Sequence, residues 1–148
     1  MKLLIIEDDP NKLNAITSFL DNYQDIEYTY SMSYKSGMRA IASGDFELLL
    51  LDMTIPVYDV TAHETGGRPL HLAGKDILFK LKRKNNPLKA IVVTQYEVFN
   101  GISLGKLNLM LHEEFPENYL GYVYYNITQD SWRKDLATML QIYLLREN

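Results

Sequence analysis

The chain contains no cysteine. That excludes a disulfide framework and any thiolate metal site, and it suits a reducing compartment, so a cytoplasmic location is expected. Long apolar runs are missing too. The first apolar stretch ends at Ile6 and is broken by Glu7, Asp8 and Asp9, so no signal peptide is read there, and no segment is long enough to cross a bilayer. Positive charge is in the minority, with 15 Lys and Arg against 19 Asp and Glu, a net charge of -4 and a pI near 5.3. A nucleic-acid surface needs a clustered basic face, so no direct contact with nucleic acid is expected, and none with a membrane. The one basic run, Lys80, Lys82, Arg83 and Lys84 with Lys89 beyond it, reads as the cationic last turn of a helix, where it complements the macrodipole. Glycines are absent after the first strand. Glu7-Asp8-Asp9-Pro10 stands there instead, which excludes a dinucleotide-binding fingerprint.

What is present describes a globular domain. Hydrophobic residues make up 47% and charged residues 23%, which leaves no reason to expect disorder. A chain of 148 residues buries about 70% of its unfolded surface and is read as one domain, 1–148. Leu3 to Ile6 is a wholly apolar run ended by acids, as in a strand buried on both faces. Asp9 caps a helix that opens with Pro10 and carries Leu13, Ile16, Leu20 and Tyr23 on one stripe. A second strand is expected at Ile26 to Tyr30, a helix from the cap Ser33 to about Ser43 with Gly44 stopping it, and a third strand at Phe46 to Leu51. Residues Met53 to Ala73 show no periodicity and contain Pro56, Gly66, Gly67 and Pro69, so they read as one long inserted loop. Helix signals resume from Gly74 to about Lys84. A fourth strand at Ala90 to Val93, a helix marked by Leu104, Leu107 and Leu111, and a fifth strand at Tyr119 to Tyr125 follow. The last helix carries Trp132, Leu136, Met139, Leu140 and Tyr143 on a stripe that reads as packing. Alternating strands and helices form a doubly wound α/β parallel sheet with helices on both faces.

In such sheets function collects at the carboxyl ends of the strands. Those positions hold Glu7 and Asp8, Asp52, Thr94, and Tyr125 or Asn126. If the three carboxylates converge, their repulsion is relieved by a proton or by a hard cation, and oxygen ligands of this kind suit Mg2+ or Mn2+. Asp52 directly follows four leucines, a placement that costs desolvation unless it is used. A carboxylate so placed can act as nucleophile toward a phosphoryl donor, with Thr94 donating its hydroxyl to a phosphoryl oxygen.

The segments LLIIEDDPN at 3–11, LLLLDMTIP at 48–56 and AIVVTQ at 90–95 together resemble the receiver domain of bacterial two-component response regulators. The resemblance runs along nearly the whole chain. It implies a flavodoxin-like strand order 2-1-3-4-5, with Glu7 and Asp8 as the acidic pair, Asp52 as the phosphoacceptor, and Mg2+ (or Mn2+) held by Glu7, Asp8, Asp52 and the backbone carbonyl of Thr54. It also implies Thr94 as the switch hydroxyl, Tyr122 as the switch aromatic, and a histidine kinase or phosphotransfer protein as the donor.

Two departures stand out. Receivers carry a lysine followed by proline three residues beyond the aromatic, and here Tyr125 and Asn126 stand there; if phosphorylation occurs, Arg68 or Lys75 near the long loop are candidates to supply the charge. The family's turn glycine falls at position 60, whereas the helix-opening glycine is Gly74, an insertion of 14 residues. That insertion holds Thr61, His63, Glu64, Gly66, Gly67, Arg68 and His71, and the spacing of its histidines is not a zinc signature. A second extension is expected at Glu113 to Tyr119. A haloacid-dehalogenase-type phosphatase is set aside because Asp52-Met53-Thr54 lacks a second acid. The remaining rival is a pseudo-receiver that docks a partner without phosphorylation, an adaptor. Either way the chain is expected to stand alone, without an output domain, and to signal through an unknown downstream protein.

Overall fold

The computed structural model describes residues 1–59, 69–70 and 72–147. Five strands, β1 (Lys2–Ile6), β2 (Glu27–Ser31), β3 (Leu48–Leu51), β4 (Lys89–Thr94) and β5 (Tyr119–Tyr124), alternate with five helices, α1 (Pro10–Leu20), α2 (Tyr34–Ser43), α3 (Ala73–Arg83), α4 (Leu104–Glu114) and α5 (Ser131–Glu147). The strands form one parallel sheet in the order β2-β1-β3-β4-β5. This is the doubly wound flavodoxin-like sheet that the sequence implies.

The two-residue period of the strands explains the layering. Leu4, Leu49, Leu51 and Val92 point to one face and pack with Ile77 and Leu81 of α3 and Leu107 and Leu111 of α4. Their neighbours Leu3, Ile5, Leu50 and Ile91 point to the other, against Leu13 and Ile16 of α1 and Leu136 and Leu140 of α5. Each such side chain stabilises the fold by about 1.5–3 kcal/mol through burial. The edge strand β2 is exposed along most of its length.

Local signals set the element ends. The Asp9 side chain accepts from the backbone N–H of Asn11 at 2.9 Å, and Pro10 opens α1. Ser33 and Ser36 cap α2 reciprocally, and Gly44 ends it.

Three features differ from the sequence expectation. Within the segment read as one loop, Ile55–Pro56 pairs antiparallel with Pro69–Leu70, and α3 opens at Ala73. A second two-residue ribbon, Val98–Phe99 with Ile102–Ser103, lies between β4 and α4. Strands this short have no periodicity to read. The extension expected at Glu113 to Tyr119 reduces to a connection at 115–118, because α4 runs to Glu114 and β5 starts at Tyr119. Of the inserted residues singled out above, Thr61, His63, Glu64, Gly66, Gly67, Arg68 and His71 lie outside the described residues.

Three lysines of the basic stretch are engaged within the fold. Lys82 Nζ donates to the Glu114 carbonyl at 2.9 Å, Lys80 contacts the Tyr34 hydroxyl and Asp76, and Lys89 donates to the Glu117 carbonyl. No helix among the described residues is long and apolar enough to cross a membrane.

Candidate functional site

Parallel pairing of β1 with β3 puts Ile6 beside Leu51, so the residues that follow each strand are neighbours. Glu7, Asp8 and Asp52 each offer a carboxylate oxygen within 4.8 Å of the others. Glu7 is 2% exposed and Asp52 4%, while Asp8 stands at the edge of the group, partly open to solvent. Acids 44 positions apart in the chain therefore share one small volume.

The centre of that volume holds a residue that the sequence reading passed over. Lys12, on the first turn of α1, is 1% exposed. Its ammonium lies 2.6 Å from Glu7 Oε1 and 3.2 Å from Asp52 Oδ2, and it donates to the Val93 carbonyl at 2.7 Å. These contacts engage all three of its donors. A signal for it did exist. A lysine in the first helical turn faces the positive end of the helix macrodipole, a place that favours anions, unless nearby acids outweigh it. Lys75, one of the two cations considered for this task, instead pairs with Glu114 at 3.5 Å.

Burial and mutual charge set the electrostatics. Desolvation pushes the Glu7 carboxyl up to about 7; Lys12 opposes the rise and Asp52 adds to it. Asp8 is raised by partial burial and then by the charge of Asp52. Burial works to lower the Lys12 ammonium, but Asp52 and Glu7 more than offset it and hold it above its ordinary value. Lys12 is thus a fixed positive charge. Among the described residues one ammonium faces these acids, so with all three ionised two negative charges are left over, the charge of one divalent cation.

The donor set also fits such an ion. Asp52 Oδ1 is buried and has no hydrogen-bond partner among the described residues, while Oδ2 is turned to Lys12. An unsatisfied buried carboxylate oxygen costs on the order of 1–3 kcal/mol or more, and together with Asp8 it forms a hard-oxygen pair of the kind Mg2+ or Mn2+ accepts.

Thr94 ends β4 and is fully buried; its hydroxyl accepts from the Tyr96 N–H at 3.2 Å, and its carbonyl accepts from the Tyr125 N–H at 2.7 Å. Thr54, two residues beyond Asp52, is half-buried. Tyr122 pairs with Val92 in the sheet and packs, half-buried, on the α3 and α4 side. By register it lies in one row with Val92, Leu51 and Ile6, the row that immediately precedes Asp52 and Glu7, two strands across from β3. Tyr125 turns into the opposite core, its ring centroid 5.1 Å from that of Trp132 and 6.0 Å from Lys12 Nζ. An aromatic ring thus fills the position where the resemblance implies a lysine, and an ammonium from another element rests near it.

The sheet order and the acids gathered at its rim define a receiver fold. Comparison with known proteins agrees, and the chain belongs to the response-regulator receiver family. It is 30% identical over 143 residues to the Detocs response regulatory protein DtcB of Enterobacter cloacae, covering 92% of this chain and 95% of that protein. Among solved structures, a response regulator receiver domain protein of Clostridium thermocellum superposes with a TM-score of 0.69 at 18% identity, covering 99% of this chain and 95% of that one. The response regulator TrrA of Thermotoga maritima, solved in complex with Mg2+ and BeF, superposes at 0.61 and 17% identity over 93% of this chain and 97% of that one. No protein-family model matches the chain.

Proposed function

We propose that Asp52 accepts a phosphoryl group from a phosphohistidine of a histidine kinase or phosphotransfer protein, in a reaction that requires Mg2+ (or Mn2+), and that the protein signals through contacts with other proteins in the cytoplasm. One observation supports this reading: a buried aspartate at a strand end, with one oxygen held by an ammonium and the other without a hydrogen-bond partner among the described residues. A structural aspartate would have both oxygens satisfied.

In the reaction an Asp52 oxygen attacks phosphorus and a P–O bond forms as the P–N bond to the donor imidazole breaks. The electron pair stays on the imidazole nitrogen, which takes a proton from water. Asp8, Asp52, Glu7 and the Thr54 carbonyl are the groups that would hold the cation. When bound, it neutralises charge on the phosphoryl group in flight. The Thr94 hydroxyl, one strand away, then turns to a phosphoryl oxygen, and Tyr122 follows it, changing the surface around β5.

The adaptor reading drew its support from the missing strand-five lysine. Lys12 weakens that support, because a buried ammonium does face Asp52. Intact-mass spectrometry after incubation with a small phosphodonor and Mg2+ tests the proposal. One phosphoryl adduct is expected, lost in Asp52→Ala and on chelation; no adduct from folded protein under forcing conditions would overturn the proposal and favour the adaptor reading.

A further inference from the structure

We propose that Lys12 is the group that binds the phosphoryl moiety on Asp52, so that the ammonium this chemistry needs is supplied from the first helix instead of the end of strand five. The inference rests on phosphoryl acceptance at Asp52 and assigns it a further residue.

Phosphorylation adds about 1.5 to 2 negative charges to a site whose acids already exceed its cations. A fixed positive charge must face the new group. Lys12 is the cation that touches these acids among the described residues. Its three contacts are unequal. Glu7 at 2.6 Å and the Val93 carbonyl at 2.7 Å anchor the ammonium, whereas Asp52 Oδ2 at 3.2 Å is the longest contact, leaving room for a phosphoryl oxygen to take its place. The ammonium is thereby held in place before the reaction, which spares reorganisation when charge arrives.

Two further observations agree with this role. A lysine with no task at the N-terminal turn of a helix extends its ammonium to solvent, away from the helix dipole, yet this one is turned inward and almost wholly buried. Its inner position is also the one next to Tyr125, within 6.0 Å of the ring that replaces the expected lysine. An open cleft of about 360 Å³, lined by Asp9, Asn11, Gln95 and Asn126 among others, reaches Lys12 and Tyr125.

Trp132 is the single tryptophan and its ring lies against Tyr125, so its fluorescence reports on this corner. The 148-residue chain is titrated with Mg2+ alone, then with beryllofluoride at saturating Mg2+. Wild type is expected to bind both. Lys12→Met should bind Mg2+ at least as tightly, having lost a competing cation, while beryllofluoride binding weakens roughly 10- to 100-fold, the loss of one charge-assisted hydrogen bond. Lys12→Met/Tyr125→Lys, which returns an ammonium from strand five, should recover most of that loss. Lys12→Gln, which keeps a donor for Glu7, carries the test if circular dichroism shows Lys12→Met unfolded. Beryllofluoride affinity and adduct formation that equal wild type in either folded variant would overturn the proposal. So would Mg2+ binding that appears only once Lys12 is replaced, since the ammonium would then be a permanent stand-in for the metal. Failure of wild type itself to form an adduct marks a failure of the phosphoacceptor reading; an adduct in wild type with an unaffected Lys12→Met marks a failure of this inference alone.

Discussion

At the residue scale the fold depends on a few polar side chains placed where nothing else could satisfy the backbone. Asn118 is 2% exposed, and its amide donates to the carbonyls of Asn86 and Leu88 at 2.7 and 2.8 Å, fixing the entry to β4. Asn118→Ala strands both carbonyls, so a loss of about 1–3 kcal/mol is expected in urea denaturation, with the slope unchanged and phosphoryl acceptance at Asp52 retained. The residues of the site were unequally legible. Asp52 announced itself by ending a run of four leucines, and Glu7 and Asp8 by interrupting an apolar strand. Lys12 did not, because a lysine beside acids in a polar turn is read as solvated, and nothing local says that its long side chain reaches 81 residues ahead to the Val93 carbonyl.

Elements were legible wherever periodicity had room to act, as in α1 and α5 and in the buried strands, and illegible where it did not. The two-residue ribbons lie below that limit. The shift of register between Ala90 and Ile91, where Tyr119 and Gly121 take successive partners, has no sequence signature beyond a glycine in a strand; Gly121 there adopts a φ of +150°. Gly74, expected to open its helix, lies one residue inside α3, and its geometry shows why a glycine stands there. A Cβ at Gly74 would come within 2.7 Å of Met53 Sδ, 3.0 Å of the Asp52 carbonyl and 3.1 Å of Met53 Cα. Two of those atoms are backbone and cannot swing aside. Gly74→Ala must therefore push α3 away from the end of β3, at an expected cost of about 1–3 kcal/mol in thermal or urea unfolding. The same displacement moves Asp52, so adduct formation should slow as well, in contrast to Asn118→Ala.

For the whole molecule the decisive fact is topological. Two loops that carry like charge are forced together because the strands before them pair, and the hydrophobic layers on both faces of the sheet hold them there against their repulsion. Lys12 relieves only part of that repulsion, which leaves the site as a place where the fold is under electrostatic load and where a bound cation acts on stability as a whole. A ligand that binds only the folded state stabilises by mass action, about 2.7 kcal/mol at a hundredfold excess over its dissociation constant. For a protein of this size each kcal/mol moves the thermal midpoint by about 2–4 °C. Saturating Mg2+ is therefore expected to raise the midpoint by several degrees, and a chelator to reverse it. Ca2+, which asks for more oxygen ligands than these acids offer, should do less. Asp8→Asn and Asp52→Asn should each abolish the Mg2+ increment, since each removes a ligand charge. They should also lose little midpoint in the metal-free protein, because taking away one of three crowded carboxylates relieves repulsion. Scanning fluorimetry with and without Mg2+ reads both effects, and a Mg2+ increment that survives in Asp52→Asn would place the ion elsewhere and detach the acidic rim from the phosphoacceptor chemistry.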